Sequence, residues 1–262
     1  ILIINSIEKV LRTIDTIYDV LTALDKIGYV TDLKLDRKNG KAIVQSVEGL
    51  TLRAKEIVFG FPDEKRKVLD GLSFELNANE KAVLSGSSGS GKTLLLQILA
   101  GLYEIEDGGL FVNEIPLSTY RREMLYNYFG VSFPTNQIFE GTFKENILLG
   151  RNIPDMEIAG LLNLLKLDEY LIHEPMGIDG FVDSGGRRLP RSIIQKILIA
   201  RMIIGNPKLL LMEDPLQFIE LDEKKRIVDY IMDEKRNWTV LVVSDFFYWK
   251  KKCDRIINID KL

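Results

Sequence analysis

The chain has 262 residues, enough for one large domain or one domain with an appendage, and its balance of 46% hydrophobic and 28% charged residues is that of an ordinary folded soluble protein. A formal net charge of -3 argues against a general affinity for nucleic acid. The single cysteine, Cys253, excludes an internal disulfide and a cysteine zinc cluster, so a cytoplasmic setting is the default. No apolar run approaches the ~18 residues of a membrane span, and no secretory signal pattern follows Ile1.

The first segment reads as an amphipathic helix. Ile7, Leu11, Ile14, Tyr18 and Leu21 recur at alternating helical spacings, with Glu8, Lys9, Arg12, Asp15 and Asp19 between them. The opening Ile1, Leu2, Ile3 and Ile4 suit a helix core, or equally the cytoplasmic end of a segment that begins inside a bilayer. Gly28 and the charged stretch at residues 36–40 mark a linker.

From Thr51 the pattern changes to short strands. Ile57, Phe59 and Phe61 alternate with other residues, as do Leu72, Phe74 and Leu76, which predicts two β-strands around a turn at Pro62 and Asp63. A third strand at residues 81–84 runs into a glycine-rich loop, and a helix over residues 93–100 follows, closed by Gly101. Short strands are expected at residues 111–112 and 130–133. Residues 142–173 read as mostly helical with Thr142 as N-cap, and residues 192–204 as another helix. The apolar runs at 209–212 and 240–243 flank a charged helix at 222–235. Continuous apolar runs suit strands covered on both faces, hence a parallel α/β core.

The loop GSSGSGKT at residues 86–93 meets the pattern G-x-x-x-x-G-K-[ST] through Gly86, Gly91, Lys92 and Thr93. Glycines let the backbone wrap a phosphate so that amide N–H groups point inward, and the following helix adds its positive end. Lys92 is the candidate partner of the β- and γ-phosphates, and the Thr93 hydroxyl a candidate Mg²⁺ ligand. A strand before, a helix after, and the acids Glu213 and Asp214 downstream are the context this motif requires. The expected ligand is a nucleoside triphosphate.

Across residues 51–260 the chain resembles the nucleotide-binding domain of ATP-binding-cassette (ABC) transporters of the exporter type. Phe59-Gly60-Phe61-Pro62 looks like the segment whose aromatic residue stacks on adenine, which points to Phe61. Residues 138–147, IFEGTFKENI, resemble the exporters' "LF-x-GT-x-x-ENI" run. Gln195-Lys196 and Ala200-Arg201 stand where the family carries "QR" and "AR". PKLLLMEDP at 207–215 resembles "PKLLLLDEP", and residues 254–257 resemble "DRII".

The resemblance implies a P-loop NTPase core of ABC type, α/β, with an N-terminal antiparallel β subdomain and an inserted helical subdomain at roughly 135–205. It divides the chain into a helix and linker at 1–50, the tail of a transmembrane domain, and a nucleotide-binding domain at 51–262. It implies ATP and Mg²⁺ as cofactors, with Phe61, Gly86, Ser87, Ser88, Gly89, Ser90, Gly91, Lys92, Thr93 and Leu94 as the nucleotide-binding set. Thr93 and Glu213 would hold the metal, and Asp214, Glu213 and Lys92 would carry the chemistry. It further implies a transmembrane domain upstream in the same polypeptide, a second nucleotide-binding domain as homo- or heterodimer partner, and a place on the cytoplasmic face of the cell membrane.

The departures fall on the catalytic positions. The family's Walker B pair, Asp then Glu, is here Glu213 then Asp214. Its sensing glutamine falls at Pro134, with Gln137 a substitute only if the loop is rebuilt, and its switch histidine at Asp245, the one histidine of the sequence being His173. Its D-loop aspartate falls at Glu220, unless Asp222 serves after a small insertion. The signature LSGGQ becomes Leu189, Pro190, Arg191, Ser192 and Ile193. Pro190 starts a helix in the plain reading, with Arg191 solvated. In the sharper one Arg191 reaches a partner's γ-phosphate. The aromatic run at 246–249 reads as a buried helix face with a charged end, or as a membrane-surface patch. Three functions follow: a slowly hydrolysing motor of an exporter, a catalytically impaired ATP-binding regulatory subunit paired with an active ABC partner, or a soluble ABC protein without a transport role.

Overall fold

The computed structural model describes residues 2–32, 40–41, 48–62 and 66–261. The linker expected at residues 36–40 lies, apart from Gly40, outside the described residues, as does Asp63 of the expected turn. The chain divides into two compact units, Ile1–Lys38 and Asn39–Leu262.

The first unit is the expected helix, α1 (Leu2–Thr31). Its threonines are satisfied along the helix: the Thr16 and Thr22 hydroxyls donate to the Arg12 and Tyr18 carbonyls at 2.9 and 2.8 Å. Ile14, Ile17, Tyr18, Leu21 and Leu24 are exposed. Among the described residues no helix is long and apolar enough to cross a membrane.

The second unit opens with β1 (Leu52–Phe59) and β2 (Leu69–Leu76), an antiparallel pair. The strand ends at Phe59, so Phe61 lies beyond it rather than in the alternation expected from sequence. Next come β3 (Lys81–Ser85) and α2 (Lys92–Leu99), the strand and helix on either side of the glycine loop. β4 (Asp107–Val112) and β5 (Ile115–Pro116) complete an antiparallel sheet of order β2-β1-β4-β5. Then α3 (Arg122–Tyr128) leads into β6 (Phe129–Ser132).

The helical part starts with β7 (Gly141–Thr142) and α4 (Phe143–Leu148). Thr142 is its N-cap in a full capping box. The Thr142 hydroxyl accepts the Glu145 amide at 3.0 Å, and the Glu145 carboxylate accepts the Thr142 amide at 2.7 Å. α5 (Asp155–Leu164), α6 (Asp168–Leu171), β8 (Phe181–Val182) and α7 (Arg191–Ile203) follow. Phe143, Ile147, Ile158, Leu161, Leu171, Ile193 and Ile197 pack in one core. Pro190 is the N-cap of α7 and Arg191 its first residue.

The last third alternates β9 (Leu209–Glu213), α8 (Leu221–Ile231), β10 (Thr239–Val243), α9 (Tyr248–Lys252) and β11 (Arg255–Asn258). The second sheet, order β11-β3-β10-β9-β6, is parallel throughout. Its two faces bury different residues. Ala82, Leu84, Leu209, Leu211, Leu241 and Val243 join a core with α2 and the antiparallel sheet. Val83, Leu210, Met212, Val240 and Val242 join the core that holds α7, α8 and Trp249. Both faces are covered, as the uninterrupted apolar runs require. The aromatic run at 246–249 divides, with Trp249 fully buried and Phe247 exposed.

Candidate functional site

Four loops leave the carboxyl edge of the parallel sheet, where open α/β sheets place their ligands. They begin at Gly86 after β3, Phe133 after β6, Asp214 after β9 and Ser244 after β10. The glycine loop, Pro134, Glu213, Asp214 and Asp245 therefore lie along one edge, although they are spread over more than half the chain, whereas Phe61 stands apart from it just past the end of β1.

The glycine loop is tightly packed from outside. A Cβ at Gly86 would lie 2.3 Å from Ile259 and could not fit without a shift, while one at Gly91 would lie a tight 3.0 Å from Leu69 and 3.2 Å from Val68. Gly91 has φ 86° and is the N-cap of α2, leaving the first amides of that helix facing the loop. The Lys92 ammonium lies along the loop and donates to the Gly86 and Ser87 carbonyls at 3.0 and 2.6 Å. Ser87 is held from the far end of the chain. Its amide and hydroxyl donate to the two carboxylate oxygens of Asp260 at 2.7 and 3.0 Å. Sequence reasoning missed Asp260, since nothing beside it distinguishes a brace from a solvated acid.

Thr93 and Glu213 meet across 120 residues of sequence: the Thr93 hydroxyl donates to Glu213 Oε1 at 2.5 Å. The other oxygen, Glu213 Oε2, is buried with no hydrogen-bond partner. A buried acceptor left unpaired is costly, and a hard cation next to an oxygen-only pair of groups removes that cost. The pair fits a Mg²⁺ shell completed by phosphate oxygens.

Asp214 stands next in an exposed turn with a left-handed backbone, φ 39°, which Asp tolerates better than most residues with a Cβ. Its amide donates to the Val243 carbonyl at 2.9 Å. α7 braces the following segment: Gln195 Oε1 accepts the Phe218 amide at 2.6 Å, and the Arg191 guanidinium lies 5.2 Å from the centre of the Phe218 ring. Arg191 is exposed, as the plain reading expects, and rests on the exposed Phe218 ring of its own chain. Lys196 pairs with Glu223 on α8 at 2.8 Å, both largely buried.

The other loops carry the departures. Pro134 is exposed in a turn closed by Asn136, whose side chain accepts the Phe133 amide at 2.9 Å. Gln137 is exposed, and its carbonyl is taken by Arg201 at 3.0 Å. Arg201 also donates to the Asn146 carbonyl at 2.8 Å and side chain at 3.0 Å, and burial pushes its pKa down. Asn146 in turn binds the Phe139 backbone on both sides. The "ENI" and "AR" motifs thereby form one polar network that pins the segment after β6. Asp245 is exposed two residues beyond β10, and His173 follows α6 in an exposed turn of the helical part.

Phe61 is 36% exposed and meets two rings edge-on, Phe59 at 5.3 Å and Tyr103 at 6.1 Å between centroids. Tyr103 was not among the sequence candidates, because no local pattern links the stretch after α2 to the end of β1.

A parallel α/β core with a strand, glycine loop and helix at one edge, and a second, antiparallel sheet, defines the class of molecule. The ABC transporter family model matches residues 69–217, more than half of the chain, and the chain belongs to that family, whose cassette domains are ATPases. It is 26% identical over 92% of its length to the glutathione/L-cysteine transport system ATP-binding/permease protein CydC of Haemophilus influenzae, covering 42% of that protein. It is 27% identical over 90% of its length to the uncharacterised ABC transporter ATP-binding protein YfiB of Bacillus subtilis, covering 41% of it. The fold also matches a bacterial Atm1-family ABC exporter solved with ATP bound, at TM-score 0.80 and 22% identity, over 93% of this chain and 43% of that one. The chain thus spans less than half the length of these relatives.

Proposed function

We propose that this chain is the ATP-hydrolysing part of an ABC exporter and turns over slowly. The observation that carries the reading is the contact of Thr93 with Glu213, which leaves the buried Glu213 Oε2 unpaired beside the phosphate loop. The amides of residues 86–94 would cradle the triphosphate, Lys92 would neutralise its β- and γ-phosphates, and Phe61 would stack on adenine. Thr93 and Glu213 would hold Mg²⁺. When bound, that ion would supply positive charge to offset the charge that develops on the phosphates. Asp214 would orient the attacking water from further back than a glutamate does. Asp245 adds a negative charge at the same sheet edge, and Pro134 offers no side-chain donor, so both lower the rate further.

Residues 1–50 would lead from a membrane-spanning part of the same polypeptide, and residues 51–262 would form the cassette on the cytoplasmic face. The relatives named as ATP-binding/permease proteins support this arrangement. A second cassette, from an identical or a different chain, would close the site over ATP.

The test is ATP binding and turnover by the chain beside a Lys92→Ala variant. The expected result is tight binding with slow, Mg²⁺-dependent phosphate release, both lost in Lys92→Ala. Binding with no phosphate release under any condition would remove hydrolysis and leave a regulatory subunit.

A further inference from the structure

We infer that Tyr103 and Glu106, on the segment joining α2 to β4, are positioning residues that set the plane and height of the adenine platform at Phe61. This rests on the reading of Phe61 as that platform. Phe61 lies past the last residue of β1, so the sheet ladder no longer fixes it. Something else must hold the ring if it is to meet a base in one orientation.

Three rings do so in a closed triangle. Phe59 and Phe61 are perpendicular, at 5.3 Å and 89°, as are Phe61 and Tyr103, at 6.1 Å and 90°. Phe59 and Tyr103 close the figure at 5.6 Å and 64°. Edge-to-face contacts put the positive rim of one ring against the negative face of another, so they resist rotation as well as displacement. Phe59 is buried in the core and anchors the triangle, while Tyr103 lies at the surface beside Phe61.

The backbone is held from the same segment. Glu106 Oε1 accepts the Gly60 amide at 2.8 Å, its Oε2 pairs with Lys67, and its own amide donates to the Val58 carbonyl at 3.0 Å. The Lys67 ammonium holds the Glu106 carboxyl below the usual carboxylate range, which keeps it an acceptor. A Cβ at residue 60 would come within 3.2 Å of both Glu106 and Lys67, so this close approach uses the glycine there.

The arrangement also sets a spacing. Val68, whose amide donates to the Phe59 carbonyl at 2.8 Å, touches the position of Gly91 in the phosphate loop. The segment carrying Tyr103 and Glu106 leaves the other end of α2, the helix that begins at Lys92. Platform and phosphate loop are thereby tied at two places, so the distance from base to phosphates is built into the fold.

Binding of MgATP and of magnesium tripolyphosphate, which has the phosphates but no base, would be measured by calorimetry on the full chain. Tyr103→Ala is expected to weaken ATP binding about 3- to 10-fold, the range of a lost aromatic pair, and to leave tripolyphosphate binding unchanged. Glu106→Ala should act in the same direction, and Tyr103→Phe should restore ATP affinity. Phe61→Ala should weaken ATP about 10-fold or more, with no further loss when Tyr103→Ala is added. If Phe61→Ala weakens ATP but Tyr103→Ala and Glu106→Ala do not, the positioning role is overturned and the platform stands. Equal loss of ATP and tripolyphosphate in Tyr103→Ala would mean general loosening and would also overturn it. Unchanged ATP affinity in Phe61→Ala would sink the platform and this inference together.

Discussion

Lys81 shows how one residue carries a stability cost that its neighbours only partly offset. It is 2% exposed at the start of β3, and its ammonium donates to the Arg236 and Trp238 carbonyls at 2.9 and 2.5 Å. Burial lowers its pKa to about 8, against the opposing charges of Asp254 and Asp233. Below about pH 8 the group is protonated in both folded and unfolded chains, and the folded state bears the full cost of burying the charge. Between that value and the ordinary 10.5 the unfolded chain binds more protons, so this residue's contribution to stability rises with pH. Other groups titrate in the same window, so the measurement is a difference. The urea-unfolding free energy of the wild type minus that of Lys81→Met should rise by up to ~3 kcal/mol from pH 7 to pH 10.5. A flat difference would mean that Lys81 stays protonated throughout. Charge near the phosphate loop cannot be judged by proximity alone. Asp260 lies beside Gly86, yet it holds the Ser87 amide and hydroxyl and so orders the loop.

At the scale of elements, α7 and α8 are joined by Lys196 and Glu223, a pair 8% and 15% exposed, with Lys166 at 3.9 Å from the same carboxylate. Removing one partner leaves a buried charge, whereas removing both with apolar groups of similar size leaves none. Because Lys166 stays beside the Glu223 carboxylate, Lys196→Ala should lower the unfolding free energy by about 1–3 kcal/mol, while Lys196→Met with Glu223→Leu should come within about 1 kcal/mol of wild type. Denaturant midpoints decide it, and a double variant as unstable as the single one would show packing rather than charge at work. The elements themselves were largely readable, because their signals are local. The apolar runs of β9 and β10, the capping box at Thr142 and the strand-loop-helix around Gly86 each declare themselves within about ten residues. Contacts between distant segments were not. Asp260 and Ser87 are 173 residues apart, and neither has a neighbour that marks it. Thr93 and Glu213, 120 residues apart, could be paired only through the family resemblance. The end of β1 was misplaced for a related reason: alternation continues through Phe61, but that ring is held by Phe59 and Tyr103 rather than by the sheet.

For the whole molecule, the question is what separates binding from turnover when the fold is intact and the departures at Pro134, Asp214 and Asp245 lie along one sheet edge. Glu213, with its buried unpaired oxygen beside Thr93, and the glycine loop provide for MgATP in the proposed reading. Asp214 differs from the family's glutamate by one methylene, which withdraws its carboxylate by about the length of one bond. A misplacement of ~1 Å can cost roughly a hundredfold in rate. The turn at Asp214 is held through its backbone, by the Val243 carbonyl at 2.9 Å, and its side chain is exposed, so a longer acid fits without disturbing the core. Its φ of 39° is less comfortable for glutamate than for aspartate, which costs some stability but leaves the side chain on the same turn. Asp214→Glu is therefore expected to raise the rate of ATP turnover about tenfold or more with ATP affinity unchanged, and Asp214→Asn to abolish it. Phosphate release at saturating MgATP, with binding measured separately, checks both. If Asp214→Glu binds ATP normally and turns over no faster, the length of this acid does not limit the rate. The limit then lies with Asp245 or Pro134, and Asp245→His is the next variant to measure.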